Sequence, residues 1–147
     1  MKKNTQESIR LQKAVRAKMK QCYINAVRVI WNVPGYEQAT YIEGIALVNG
    51  ICIEHGWVER DGDILDPTLP HEEAVYFAGL RFEGEKGIAE AMRRQRLEGT
   101  EDLPFFYRYG WGGRESPEFC QAWKHGLAYA NSLVLDVAAP VSVQAQG

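Results

Sequence analysis

The sequence predicts an α+β fold, with N-terminal helices packed on an antiparallel β meander and further helices towards the C-terminus. Three observations carry this prediction. Apolar residues recur at helical spacing through residues 5–33. From Ala39 to Thr68 the chain turns to β-formers and is punctuated by the turn dipeptides Asn49-Gly50 and Asp61-Gly62. At Ser116-Pro117 a capping serine and a proline at the first helical position open a long helical pattern.

Taken in order, Ile9, Leu11, Val15 and Met19 form an apolar stripe among Lys and Arg, which predicts a helix from Thr5 to about Met19 with Thr5 or Ser8 as cap. A second helix begins near Lys20 to Cys22, runs through Ala26, Val27, Ile30 and Trp31, and stops before Pro34-Gly35. ATYIEGIALVNG and ICIEHGWVER then read as two strands joined at Asn49-Gly50. Asp61-Gly62 returns the chain into a third short strand, DILDPT, which Pro67 ends. AVYFAGLRF reads as a further strand and EKGIAEAMRRQRL as a helix. FFYRYGWGG is aromatic and then glycine-rich, a loop or a short strand with a loop. The last residues, DVAAPVSVQAQG, have little to pack with, so residues 1–135 are expected to form a single domain and residues 136–147 a flexible tail.

Composition narrows the classes. A chain of 147 residues buries a core without metal or disulfide staples. A net charge of −2 gives no global reason for nucleic acid as a partner. The three cysteines, Cys22, Cys52 and Cys120, are odd in number and lack CxxC spacing, so neither a disulfide framework nor a zinc knuckle is indicated and free thiols in a reducing compartment are expected. The N-terminus is charged throughout and no stretch reaches bilayer length, which leads to an expectation of a soluble, cytoplasmic protein without a membrane partner. Neither a cofactor nor a metal is implied, and nothing in the sequence fixes an oligomeric state.

The chemistry-bearing residues fall in an ordered set. Cys22 sits at a helix N-terminus, where the helix dipole favours a thiolate. The turn at Asp61-Gly62 sets Thr68 opposite His55, with Asp66 one diagonal step nearer the turn on the same face. From there a carboxylate can accept from one imidazole nitrogen while the other faces a thiol.

The order C22YINA, H55GW, L65DPT resembles the transglutaminase-like branch of the papain-like cysteine enzymes, and YIEGIAL is similar to that family's strand between the helix and the histidine strand. The resemblance covers about residues 20–70. It implies a papain-like or transglutaminase-like core with Cys22 as nucleophile, His55 as general base and then acid, and Asp66 as the orienter of the imidazole. It also implies an oxyanion held by the Cys22 N–H, with Gln21 or another side chain helping. Two departures stand out: Gln21 is immediately next to the cysteine rather than several residues before it, and Lys20-Gln21 replaces the family's usual glycine.

Each residue also has a purely structural reading. A free cysteine is more often a packed small hydrophobe, Asp before proline is often a turn residue, and His55 could be a hydrogen-bonded core histidine. Glu43, among strand hydrophobics, either faces water or supports the site by hydrogen bonding. Trp57 shares the parity of His55, as a wall beside the imidazole or as core. Cys52 points to the other face of its strand and is a poor rival nucleophile. Structural roles are favoured for His71 and His125, and the run at Arg93, Arg94 and Arg96 reads as the solvated face of a helix. FFYRYGWGG is either core or a substrate-recognition loop.

Two function classes follow. The first is a cysteine-dependent acyl-transfer enzyme, a peptidase, amidase or deamidase, or transglutaminase, acting on a protein, peptide or other amide through a thioester. The second is a non-catalytic binding or inhibitor module on the same scaffold, with Arg93 to Gly113 as its interface and a phage or mobile-element accessory protein as its setting. The weight lies with the enzyme.

Overall fold

The computed structural model describes residues 1–98, 103–106 and 116–146. Among these, four helices and a five-stranded sheet form an α+β fold: β1 (Lys2–Lys3), α1 (Thr5–Ala14), α2 (Cys22–Asn32), β2 (Thr40–Val48), β3 (Ile51–Arg60), β4 (Asp63–Leu65), β5 (Ala74–Glu83), α3 (Gly84–Glu98) and α4 (Pro117–Gln146). The strand order is β1-β4-β3-β2-β5.

α1 is capped by neither Thr5 nor Ser8 but by Asn4, whose Oδ1 accepts the Glu7 N–H at 3.0 Å. It also ends at Ala14 rather than near Met19, because Arg16 takes φ 51, a left-handed conformation that no helix continues through. α2 starts at Cys22 and buries Ala26, Val27, Val29 and Ile30 against Tyr41, Val58 and Leu65 of the sheet. Each of the buried valine and isoleucine side chains there contributes about 1.5–3 kcal/mol.

The two turn dipeptides adopt the left-handed backbone that a two-residue hairpin needs. Asn49 and Gly50 have φ 51 and 79, and Asp61 and Gly62 have φ 52 and 84. They set registers of Val48↔Ile51 through Thr40↔Glu59 and of Arg60↔Asp63 through Val58↔Leu65. The meander β2-β3-β4 is therefore antiparallel. The sheet as a whole is mixed, however: β1 runs parallel to β4, with Lys2↔Asp63 and Lys3↔Ile64. Two lysines carry no strand signal; they are placed by the edge that β4 offers, and the Asn4 N–H extends the pairing to the Ile64 carbonyl at 2.9 Å.

β5 returns to the far edge of β2, with a bulge between Glu43 and Gly44. A Cβ at Gly44 would lie 2.3 Å from the Phe77 carbonyl oxygen, so the bulge requires glycine. By shifting the register, the bulge sets Phe77 beside Ile45 and Leu80 beside Glu43, all on the helix-bearing face. α4 covers that face with Phe119 and Ala122. Its start follows the sequence: the Phe119 N–H donates to Ser116 Oγ at 3.3 Å, with Pro117 first in the helix. Its backbone stays helical past Leu135 to Gln146, where the sequence reads a loose tail. No helix among the described residues is long and apolar enough to cross a membrane.

Candidate active site

Side chains alternate along β3, so His55, Trp57 and Glu59 project from one face and Gly56 and Val58 from the other. α2 stands on the second face. A Cβ at Gly56 would lie 2.7 Å from Tyr23 Cδ1 and 3.2 Å from Tyr23 Cα, so glycine here lets the start of α2 lie against the strand. On β3, β4 pairs only with Val58–Arg60, which leaves the edge of β3 beside His55 without a strand among the described residues. Continuing the register would set Pro67 against Gly56, and proline has no N–H to offer the ladder. The chain therefore leaves the sheet just as it delivers Asp66.

Asp66 is fully buried and every face of its carboxylate is used. Oδ2 accepts His55 Nε2–H at 2.8 Å and the Tyr76 hydroxyl at 2.7 Å. Oδ1 accepts the N–H groups of Thr68 at 3.1 Å and Leu69 at 3.0 Å. The N–H of Asp66 itself donates to Ser8 Oγ at 3.0 Å. Burial pushes the carboxyl pKa up, but the hydrogen bond and charge of His55, then the Leu69 N–H and the Tyr76 hydroxyl, hold it below its ordinary value.

His55 is only 2% exposed, and its ring stacks on Trp57, with centroids 6.2 Å apart and planes at 23°. Burial works against the imidazolium, yet the hydrogen bond and charge of Asp66, reinforced by Cys22, raise its pKa to about 9. With Nε2 committed to Asp66, Nδ1 is the nitrogen left for the Cys22 sulfur. Cys22 and His55 line one cavity of about 540 Å³ that runs along the open edge of β3, with Tyr23, Ile53 and Leu69 among its walls. A larger groove of about 690 Å³, near Asn49 and Leu133, contains none of Cys22, His55 or Asp66.

The residues expected to support the site separate. Trp57 is both wall and core, fully buried beside the imidazole. Glu43 is buried on the opposite face, paired with Gly56. It accepts from the Tyr41 hydroxyl at 2.7 Å and from the N–H groups of Phe105 and Phe106 at 2.7 and 2.8 Å, so it anchors that segment rather than Cys22, His55 or Asp66. Burial raises its pKa to about 7 against the pull of these bonds. Gln21 occupies the cap position of α2 but its exposed side chain makes no capping bond. Gln12, from α1, lines the cavity.

Cys52 lies on the face of Glu54 and Gly56, 3.5 Å from where a Cβ at Gly126 would stand, and burial raises its thiol pKa. His71 is exposed at the cavity wall, a position sequence spacing did not suggest, and His125 bonds to Gln121 on α4 at 3.0 Å. Arg93 and Arg94 pair with Glu90 on the exposed face of α3. Phe106 stacks on Phe119 with centroids 4.2 Å apart, a core contact. The rest of FFYRYGWGG, from residue 107 on, and with it the recognition-loop expectation, lies outside the described residues.

Three contributors were missed in the sequence, one of them the Ser8 hydroxyl that accepts the Asp66 N–H. Tyr76 sits opposite Ala46, and nothing local announces that β5 joins β2 and brings a hydroxyl to Asp66. Lys3 Nζ donates to the carbonyls of Leu69 and Glu72, the latter at 2.6 Å, and lies 5.9 Å from the Tyr76 ring centroid, pinning the segment after Asp66. Comparison with known protein families, with curated proteins and with solved structures finds no match.

Proposed function

We propose that this chain is a cysteine-dependent acyl-transfer enzyme built on a transglutaminase-like arrangement of helix and antiparallel strands, with Cys22, His55 and Asp66 as its triad. The observation that carries this reading is the His55 ring: one nitrogen is held by a buried, fully bonded carboxylate, and the ring shares a cavity with Cys22 at the start of α2. A protonated imidazole beside a cysteine at a helix start is the setting in which thiolates form. Lys20 has φ 64 two residues before Cys22, the backbone conformation that the glycine of the resembled family would adopt freely.

In this reading the Cys22 thiolate attacks an amide or ester carbonyl, and the carbonyl π pair moves to oxygen. The oxyanion meets the N–H groups at the start of α2, which have no helical acceptor. Collapse of the tetrahedral intermediate breaks the bond to the leaving amine or alcohol, which takes the proton of His55, and leaves a thioester on Cys22. His55, now neutral, takes a proton from water or an acceptor amine as that group attacks the thioester. The products are an acid or a new amide and the regenerated thiolate. Asp66 keeps the ring oriented and its charge balanced throughout.

The test is the rate of Cys22 labelling by iodoacetamide at about pH 6, where an ordinary thiol reacts slowly. Wild-type protein should label on the order of tenfold faster than a free-thiol peptide, and His55→Ala should lose that advantage. A wild-type rate equal to the peptide's would refute the reading. Mass spectrometry with activated amide and ester substrates should then detect an acyl adduct that is absent in Cys22→Ala.

A further inference from the structure

The side chains of Asn25 in C22YINA and Thr68 in L65DPT take no part in the chemistry above, yet they are bonded to each other, and Thr68 lines the cavity of Cys22 and His55. Asn25 is fully buried in the first turn of α2, after Cys22. Its carboxamide clasps the main chain of Lys18 from both sides: Oδ1 accepts the Lys18 N–H at 3.1 Å and Nδ2 donates to the Lys18 carbonyl at 2.7 Å. Nδ2 also donates to Thr68 Oγ1 at 2.9 Å. The Thr68 N–H in turn donates to Asp66 Oδ1 at 3.1 Å. Both amide hydrogens and the carbonyl oxygen of Asn25 are thereby engaged.

The clasped segment is strained on both sides of Lys18. Arg16 has φ 51 and Lys20 φ 64, conformations disfavoured for residues that carry a Cβ. This is the turn that delivers Cys22. No hydrogen bond joins residues 16–20 directly to residues 66–69 among the described residues; Asn25 bonds to both. The bonds run Lys18, Asn25, Thr68, Asp66, His55, and the helix that carries Asn25 also carries Cys22.

We infer that Asn25 is a positioning residue that fixes the turn delivering Cys22 against the turn delivering Asp66, and so sets the thiol against the His55 ring. The inference rests on the acyl-transfer reading and adds to it a residue that touches neither substrate nor reacting atoms. Thr68 is the far anchor of the tie: losing its hydroxyl frees the Asp66 turn while the grip on Lys18 stays.

The test follows iodoacetamide labelling of Cys22 by peptide mass spectrometry from about pH 5 to about pH 9, alongside thermal unfolding. Thr68→Val should slow labelling at about pH 6 by about tenfold and move the acid limb of the profile to higher pH, since misplacement of reacting groups by an ångström or less costs that much. Thr68→Ser, which keeps the hydroxyl, should stay within about twofold of wild type at the same pH. Asn25→Ala should repeat the Thr68→Val profile; if it does not fold, Thr68→Val decides alone. The inference is overturned if Thr68→Val matches an activated wild type, if valine and serine slow labelling alike, or if the loss is uniform at every pH. A wild-type rate no faster than a free thiol overturns the acyl-transfer reading itself, and the tie's catalytic role with it.

Discussion

Asp66→Asn isolates the charge that holds His55. The imidazolium is stabilised in the fold because the hydrogen bond and charge of Asp66, with help from Cys22, outweigh burial and raise its pKa from 6.5 to about 9. That difference is worth about 3 kcal/mol in favour of the folded state when the imidazole is protonated. The folded pKa lies above the unfolded one, so the contribution is fully present below about pH 6.5 and is lost as pH rises through about 9. In Asp66→Asn the carboxylate charge is gone while burial remains, so the folded pKa of His55 should fall to its ordinary value or below. Urea unfolding followed from pH 5 to pH 9.5 should therefore show wild-type stability declining by about 3 kcal/mol more than that of the variant across the window. The variant should also be less stable at every pH below about 6.5, because a buried imidazole left with only burial resists protonation. Parallel stability curves, with the same slope in both proteins, would refute the coupling and with it the picture of His55 as an imidazolium held by Asp66.

Three further outcomes follow. Tyr76→Phe removes one donor from Asp66 Oδ2 and should cost about 1–2 kcal/mol. Because the Asp66 pKa is depressed, its contribution is present above the unfolded value and lost as pH falls through the folded one, so acid unfolding of this variant should begin at higher pH, as read by circular dichroism. Gly56→Ala sets a Cβ 2.7 Å from Tyr23 Cδ1 and 3.2 Å from Tyr23 Cα, which must push the start of α2 away; about 1–3 kcal/mol of stability and much of the Cys22 labelling rate at about pH 6 should go together, and retention of both would contradict the placement of α2. Glu43→Gln presents an amide nitrogen to groups that donate, leaving one of three donors unmet at about 1–3 kcal/mol. With its pKa raised to about 7, Glu43 makes wild-type stability fall as pH rises through 7, and the glutamine variant should lack that step in chemical denaturation.

Much of the sheet is legible because two-residue turns with the right dipeptides fix register by counting. Asp61-Gly62 sets the register of β4 on β3 up to Leu65, just before Asp66, and Asn49-Gly50 aligns β2 with β3 over its whole length. The position of Cys22 at a helix start is similarly local, since Pro34 bounds α2 from the other end. What the sequence hides is whatever depends on segments meeting across the fold. Tyr76 reaches Asp66 only because β5 chooses β2 and a bulge corrects its parity. Lys3 and Ser8 buttress the same aspartate from the N-terminus, yet a lysine pair and a helical serine carry no mark of it. The length of α1 departs from its sequence pattern for a related reason: the apolar stripe continues to Met19, but Arg16 breaks the helix within a turn that Asn25 holds from α2.

The carboxylate under His55 is built from partners far apart along the chain. Asp66 is 58 residues from Ser8 and 10 from Tyr76, and Lys3 grips a carbonyl 66 residues away. A nascent chain that has made α2 and the β3 hairpin already carries the cysteine and the histidine, but the carboxylate is not yet sheltered from water and the imidazolium is not yet favoured. On the acyl-transfer reading, activation of Cys22 therefore requires both β5 and the N-terminal segment to be docked on Asp66. On that reading the labelling rate of one cysteine becomes a gauge of how completely a given molecule has folded.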